Sequence, residues 1–158
     1  MKKKFLILIL FTSLIAHCQT REETIDWLNT KFKEHTSAFM GEFKIQIVND
    51  PNYGEILQLS AKVENAYMSK WYRNYSFLPK NIESVNTTTA FRTDGKLCLL
   101  IRAKGSDIYY NNKEFVEEID IDCTPSADEE IIRMQKGLIH LLNLMGNPLK
   151  LPKELFKD

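Results

Sequence analysis

The sequence predicts an α+β domain. An N-terminal helix is followed by about seven antiparallel strands forming a curled sheet or partly open barrel, and a C-terminal amphipathic helix caps it. Three observations carry this. Apolar residues recur at helical spacing near both ends, over residues 20–35 and 126–146. Between them, from Phe43 to Cys123, the period falls to two. The period-two runs are joined by short stretches of turn residues with no helical insert, which excludes βαβ units and points to an antiparallel meander.

Residues 1–18 form a segment of a different kind. Lys2, Lys3 and Lys4 precede an apolar run from Phe5 to Ala16. That is the pattern of a signal peptide, and it is shorter than the roughly 20 apolar residues a membrane span needs. Ala16 and Cys18 stand as the small residues before a cleavage that leaves Gln19 first. Ile15-Ala16-His17-Cys18 also resembles a degenerate bacterial lipobox, in which Cys18 is lipidated, although His17 stands where that box wants a small residue. Export is expected either way, to the periplasm or medium by the first reading and to a membrane-anchored lipoprotein by the second. The remaining residues, 19–158, number about 140, the size of one domain. Basic and acidic residues balance at 21 each in the full chain. Loss of the three leader lysines tips the rest to about three net negative charges, not the concentrated positive face of a nucleic-acid binder. A hydrophobic fraction of 44% is that of a globular domain.

In the first helix Ile25, Leu28 and Phe32 share a stripe, and Thr20 with Glu23 offers a capping box. Phe43, Ile45 and Ile47, then Leu57, Leu59, Ala61 and Val63, alternate with polar residues on either side of the turn-rich residues 49–54, so 43–63 read as a hairpin. Trp71, Tyr75 and Phe77 continue the alternation until Pro79. Ile82 and Val85 open a loosely patterned strand running to Phe91. Asp94-Gly95 marks a turn, Leu97 to Ala103 the next strand, and Ile108 to Tyr110 a short one. Asn111-Asn112-Lys113 leads into a strand over 115–123. The closing helix, residues 126–146, has Ser126 and Glu129 as a capping box, acids in its first turn, and Gly146 then Pro148 as stop signals. Ile131, Met134, Leu138, Leu141 and Met145 line its apolar face. The tail, residues 147–158, carries Leu149, Leu151, Leu155 and Phe156 and is expected to dock on the body.

This element order resembles the pleckstrin-homology-like superfold. The segment Ser76-Phe77-Leu78-Pro79-Lys80-Asn81-Ile82-Glu83-Ser84-Val85 resembles the strand, polar break and I-x-x-V stretch midway through such domains. The stretches 24–29 and 137–142 also resemble small exported bacterial proteins of unknown function. The resemblance spans residues 20–146 and implies a fold that serves binders and scaffolds alike. The basic loop by which phosphoinositide-binding members grip their ligand is missing: residues 49–55 hold no Lys or Arg and two acids.

Catalytic patterns are absent from the sequence. His35 and His140 lack partners at metal-ligand spacing, and the six glycines form no phosphate loop. No GxSxG elbow accompanies the serines. His35 is read as a helix-end residue and His140 as exposed opposite the apolar stripe. Glu118, Asp120 and Asp122 fall in one row, which offers oxygens to a hard cation; the plainer reading is a solvated face that discourages edge pairing. Cys98 reads as outward-facing and Cys123 as core-facing, which argues against a disulfide between them. Trp71, Tyr72 and Tyr75 form the main aromatic group and are the candidate interaction surface, with a hydrophobic or carbohydrate-contacting role set against simple core packing. No cofactor is expected. The function expected is a non-enzymatic exported binding or protein-interaction module, with an unknown protein or small ligand of the cell envelope as partner and membrane contact only through the leader or Cys18. The alternatives are a small metal-dependent or hydrolytic enzyme using the acidic strand face, and an envelope-anchored structural lipoprotein.

Overall fold

A computed structural model of the chain describes residues 19–36, 42–65, 68–89, 97–124 and 128–150, with the side chains of 63–65 and 68–71 outside the description. The leader with Cys18, the Asp94-Gly95 turn, the Ser126 cap and the tail beyond residue 150 therefore lie outside it. Among the described residues the chain forms two helices and eight strands, and the strands make two antiparallel sheets, not a closed barrel.

Helix α1 spans Arg21–His35 and opens with the expected capping box, Thr20 and Glu23 each bonding the other's backbone N–H. Strands β1 (Glu42–Asp50) and β2 (Gly54–Asn65) form the predicted hairpin, with Phe43 opposite Ala61 and Ile47 opposite Leu57. Asp50 closes its turn by accepting from the N–H groups of Asn52 and Tyr53. Strand β3 (Met68–Phe77) pairs with β2. A 3₁₀ turn, Pro79–Asn81, then sends the chain into the second sheet as β4 (Ile82–Thr88). Ile82 and Val85 are both buried although three residues apart. A register shift between Ile82 and Ser84 inserts the extra residue that makes this spacing fit a strand.

The expected meander ends here. Strand β5 (Cys98–Ala103) stays with β4. The hairpin β6 (Ile108–Tyr110) and β7 (Glu114–Val116) returns to the first sheet, beside β3. Strand β8 (Glu118–Ile121) crosses back to β5. The sheets are thus β1-β2-β3-β6-β7 and β4-β5-β8. The single strand expected over 115–123 is two strands in different sheets, broken at Glu117, whose carbonyl accepts from Ala103 N–H. Asn111 and Asn112, at φ 48° and 55°, supply the left-handed turn that the β6–β7 hairpin requires.

Helix α2, Asp128–Leu144, runs antiparallel to α1. Arg21 at the start of α1 donates to Leu144 O at the end of α2, while Lys31 pairs with Glu130 at 3.1 Å near the opposite ends. Midway, Gly137 sits against Trp27: a Cβ there would lie 2.6 Å from Trp27 Cζ3. Glu130, Gly137 and Leu144 recur every seven residues, so one seam of α2 faces α1 along its length. The helix ends in a Schellman motif. Asn147 N–H bonds Leu142 O, Gly146 N–H bonds Asn143 O, and Gly146 takes φ 86°.

Two sheets and two helices enclose one core, in which Leu28, Phe32, Phe43, Leu59, Ile101, Ile119, Met134, Leu138 and Leu141 are buried. Cys98 is also buried, and so are Leu99, Leu100 and Ile101 after it. Strand β5 is therefore covered on both faces, and the outward placement expected for Cys98 does not hold. No disulfide joins Cys98 and Cys123. His140 is half-buried rather than exposed, because it lies one turn from Gly137, on the flank of the helix seam.

Candidate contact surface

Three side-chain amides determine which parts of the sheets remain open. Asn29 of α1 bonds the edge strand β1 at one residue twice: its Nδ2 donates to Ile45 O at 3.0 Å and its Oδ1 accepts from Ile45 N–H at 2.8 Å. Gln135 of α2 donates to Val85 O on β4 at 2.8 Å. The buried Asn147 donates to both Pro79 O and Ile82 O. Each amide satisfies backbone groups that a strand edge would otherwise offer to another chain. The edges of β1 and β4 are in this way partly closed.

The outer face of the five-stranded sheet is left without a helix. Pairing aligns its residues in rows across the strands: Glu42, Lys62 and Tyr72 in one, Lys44, Ser60 and Asn74 in the next, and Gln46, Gln58, Ser76, Tyr109 and Phe115 in the third. Gln46 Nε2 donates to Gln58 Oε1 at 2.7 Å, which ties together the β1 end of the third row. Where this face meets α1 there is an open groove of about 640 Å³. Its helix side carries Asp26, Asn29, Thr30 and Lys33, and its sheet side carries Lys44, Ser60, Lys62 and Tyr72. Tyr72 is 56% exposed, so its ring is available at the groove wall. Lysine ammonium groups, the Asp26 and Glu42 carboxylates and hydroxyls around one aromatic ring suit a polar ligand recognised by hydrogen bonds and one ring face.

The three aromatic residues expected to act together are separated. Tyr72 lies on the outer face. Tyr75 is 8% exposed, with its ring 4.9 Å from that of Tyr110 in the core, so it is not a contact residue. Alternation along β3 puts Tyr72 and Tyr75 on opposite faces. Burial, partly offset by Arg73, pushes the Tyr75 phenol up. Trp71 is in β3, and its side chain lies outside the described residues. The structure adds the exposed Phe115, its ring tilted against that of Tyr109 with centroids 5.0 Å apart, as a residue of this face outside the expected aromatic group. The Asn111-Asn112 turn was the available signal, because it folds residues 109 and 115 side by side.

The other candidates are placed as follows. Glu118 of the acidic row is held by the Arg102 guanidinium. Among the described residues no group of three or more His, Cys, Asp or Glu side chains is gathered for a metal ion. His35 closes α1 beside Glu34. Cys98 donates to Thr88 O at 3.1 Å, and burial, reinforced by Asp120, pushes its thiol up to about 12. A thiol so shifted is protonated at neutral pH and a poor nucleophile. No described helix is long and apolar enough to cross a membrane.

Comparison of the chain with protein-family models, with curated proteins and with solved structures finds no match.

Proposed function

We propose that this protein is an exported, non-enzymatic binding module that holds its partner on the outer face of the five-stranded sheet, with the groove beside α1 as the central subsite. The observation that carries this reading is the asymmetry of the molecule. One sheet face is left uncovered and presents lysines, amides, hydroxyls and an exposed tyrosine, while the two helices pack on each other and the β1 and β4 edges are partly closed by side-chain amides. The partner is a polar molecule or protein surface of the cell envelope. Two antiparallel sheets with a C-terminal helix support a pleckstrin-homology-like reading of the fold; the eighth strand and the return of β6–β7 to the first sheet are departures from a plain meander.

The test is site-specific photo-crosslinking in the native envelope. A benzophenone amino acid at Tyr72 or Ser60 is expected to give one discrete adduct, and the same group at the exposed Glu83 of β4 none. Equal labelling at both places would count against the reading. Turnover by the pure protein of a substrate lodged in the groove would favour the enzymatic alternative. Export is tested by N-terminal sequencing: a mature chain starting at Gln19 is expected, and lipid labelling lost in Cys18→Ala would replace secretion by anchoring.

A further inference from the structure

The groove beside α1 has a charge layout that restricts what it can hold. Helix α1 runs antiparallel to β1: Asn29 bonds Ile45, and Phe32 packs on Phe43 with ring centroids 6.4 Å apart. Lys33, the next residue, therefore comes level with Glu42–Lys44 across the groove. Glu42 and Lys62 stand opposite each other on β1 and β2, so their charges offset. Lys33 and Lys44 remain. Both are exposed, and among the described residues neither forms an ion pair, whereas Lys31 of the same helix is held by Glu34 and Glu130. Asp26 lines the groove seven residues before Lys33, about 10 Å along the helix. Tyr72 follows Lys62 in the same row and exposes its ring beside the lysines.

We infer, on the reading that this groove is the binding subsite, that its ligand is an acidic saccharide, a sugar ring bearing one carboxylate. The carboxylate accepts charge-assisted hydrogen bonds from Lys33 and Lys44. The apolar face of the ring lies on Tyr72. Its hydroxyls donate to Asp26 and Glu42, two carboxylates that would repel a polyphosphate or a nucleic acid. A peptide added as a strand is blocked at the β1 edge, because Asn29 already occupies both backbone groups of Ile45.

The experiment is an NMR titration of the purified protein with tetragalacturonate, and with its methyl ester as the neutral counterpart. The acid is expected to bind with a Kd of about 1 mM or below and to shift the amide signals of Lys44, Ser60 and Tyr72. The ester should bind at least about tenfold more weakly. Lys33→Ala and Lys44→Ala should each weaken binding of the acid about tenfold, the scale of one charge-assisted hydrogen bond. Tyr72→Ser should weaken acid and ester alike. Melting temperatures should not change, since all three side chains are exposed. Equal binding of acid and ester, lysine variants that bind as well as the wild type, or no shift up to about 10 mM overturns the inference. Photo-crosslinking at Tyr72 separates this failure from failure of the outer-face reading. A polypeptide adduct formed undiminished beside excess tetragalacturonate overturns the saccharide and keeps the face, whereas no adduct removes both.

Discussion

Replacing Gly137 by alanine tests the helix pair at its closest point. In an isolated helix the change stabilises by about 1 kcal/mol, because glycine is the poorer helix former. Here the added methyl would stand 2.6 Å from Trp27 Cζ3 and 3.2 Å from Leu28 Cδ2. The Leu28 methyl needs to yield only slightly. The Trp27 ring is rigid and must move by nearly an ångström, which either tilts the indole out of its packing or pushes the helices apart. Overpacking of this kind costs about 1–3 kcal/mol. Set against the propensity gain, the net effect is a loss of about 1 kcal/mol, or roughly 3 °C in melting temperature for a domain of this size. Thermal melts followed by circular dichroism measure it. The decisive comparison is the background Trp27→Leu. With the indole gone, Gly137→Ala should change sign and stabilise by up to about 1 kcal/mol. A stabilising Gly137→Ala in the native background, or the same effect in both, would refute the close crossing.

Three further outcomes are expected. Asn147→Ala removes two hydrogen bonds to buried carbonyls and should cost about 2–3 kcal/mol in urea unfolding, whereas Asn143→Ala, whose amide bonds the exposed Leu149 backbone, should cost clearly less. Lys31, followed by burial working in the opposite sense, sets the Glu130 carboxyl, which is held below the ordinary carboxylate range. Its contribution is therefore fully present above about pH 4–5 and is lost as pH falls through the lower folded value. Glu130→Gln should lower stability at pH 7 and flatten the acid limb of a pH titration of unfolding. Cys98 and Cys123 should resist alkylation in the folded protein and both react in denaturant; rapid labelling of Cys98 without unfolding would contradict its burial.

Local signals were legible in the sequence where one short segment determines its own structure. The Thr20–Glu23 cap, the 43–63 hairpin and the Gly146 stop all form as their residues require. What could not be read there was set by long-range packing. Nothing local distinguishes a strand over 115–123 from two strands parted at Glu117, because each half alternates correctly by itself. The run Leu97-Cys98-Leu99-Leu100-Ile101 did carry a sign of burial on both faces, being continuously apolar, and strict alternation masked it. Gly137 resembled an ordinary helical position until Trp27 was placed against it. For the contact surface, Tyr72 was recognisable as a candidate, but only pairing with Lys62 and the approach of α1 make a groove around it. Tyr75 has the same composition and opposite phase, and it went to the core.

Hydroxyl-radical footprinting of the protein in intact cells against purified residues 19–158 tests whether a partner covers the outer face of the five-stranded sheet. Tyr72 should be protected in the cells, while Tyr53, which is 68% exposed at the β1–β2 turn, reacts equally in both. Equal reactivity of Tyr72 in the two samples, or protection at Tyr53 alone, would contradict the assignment of the outer sheet face as the binding surface.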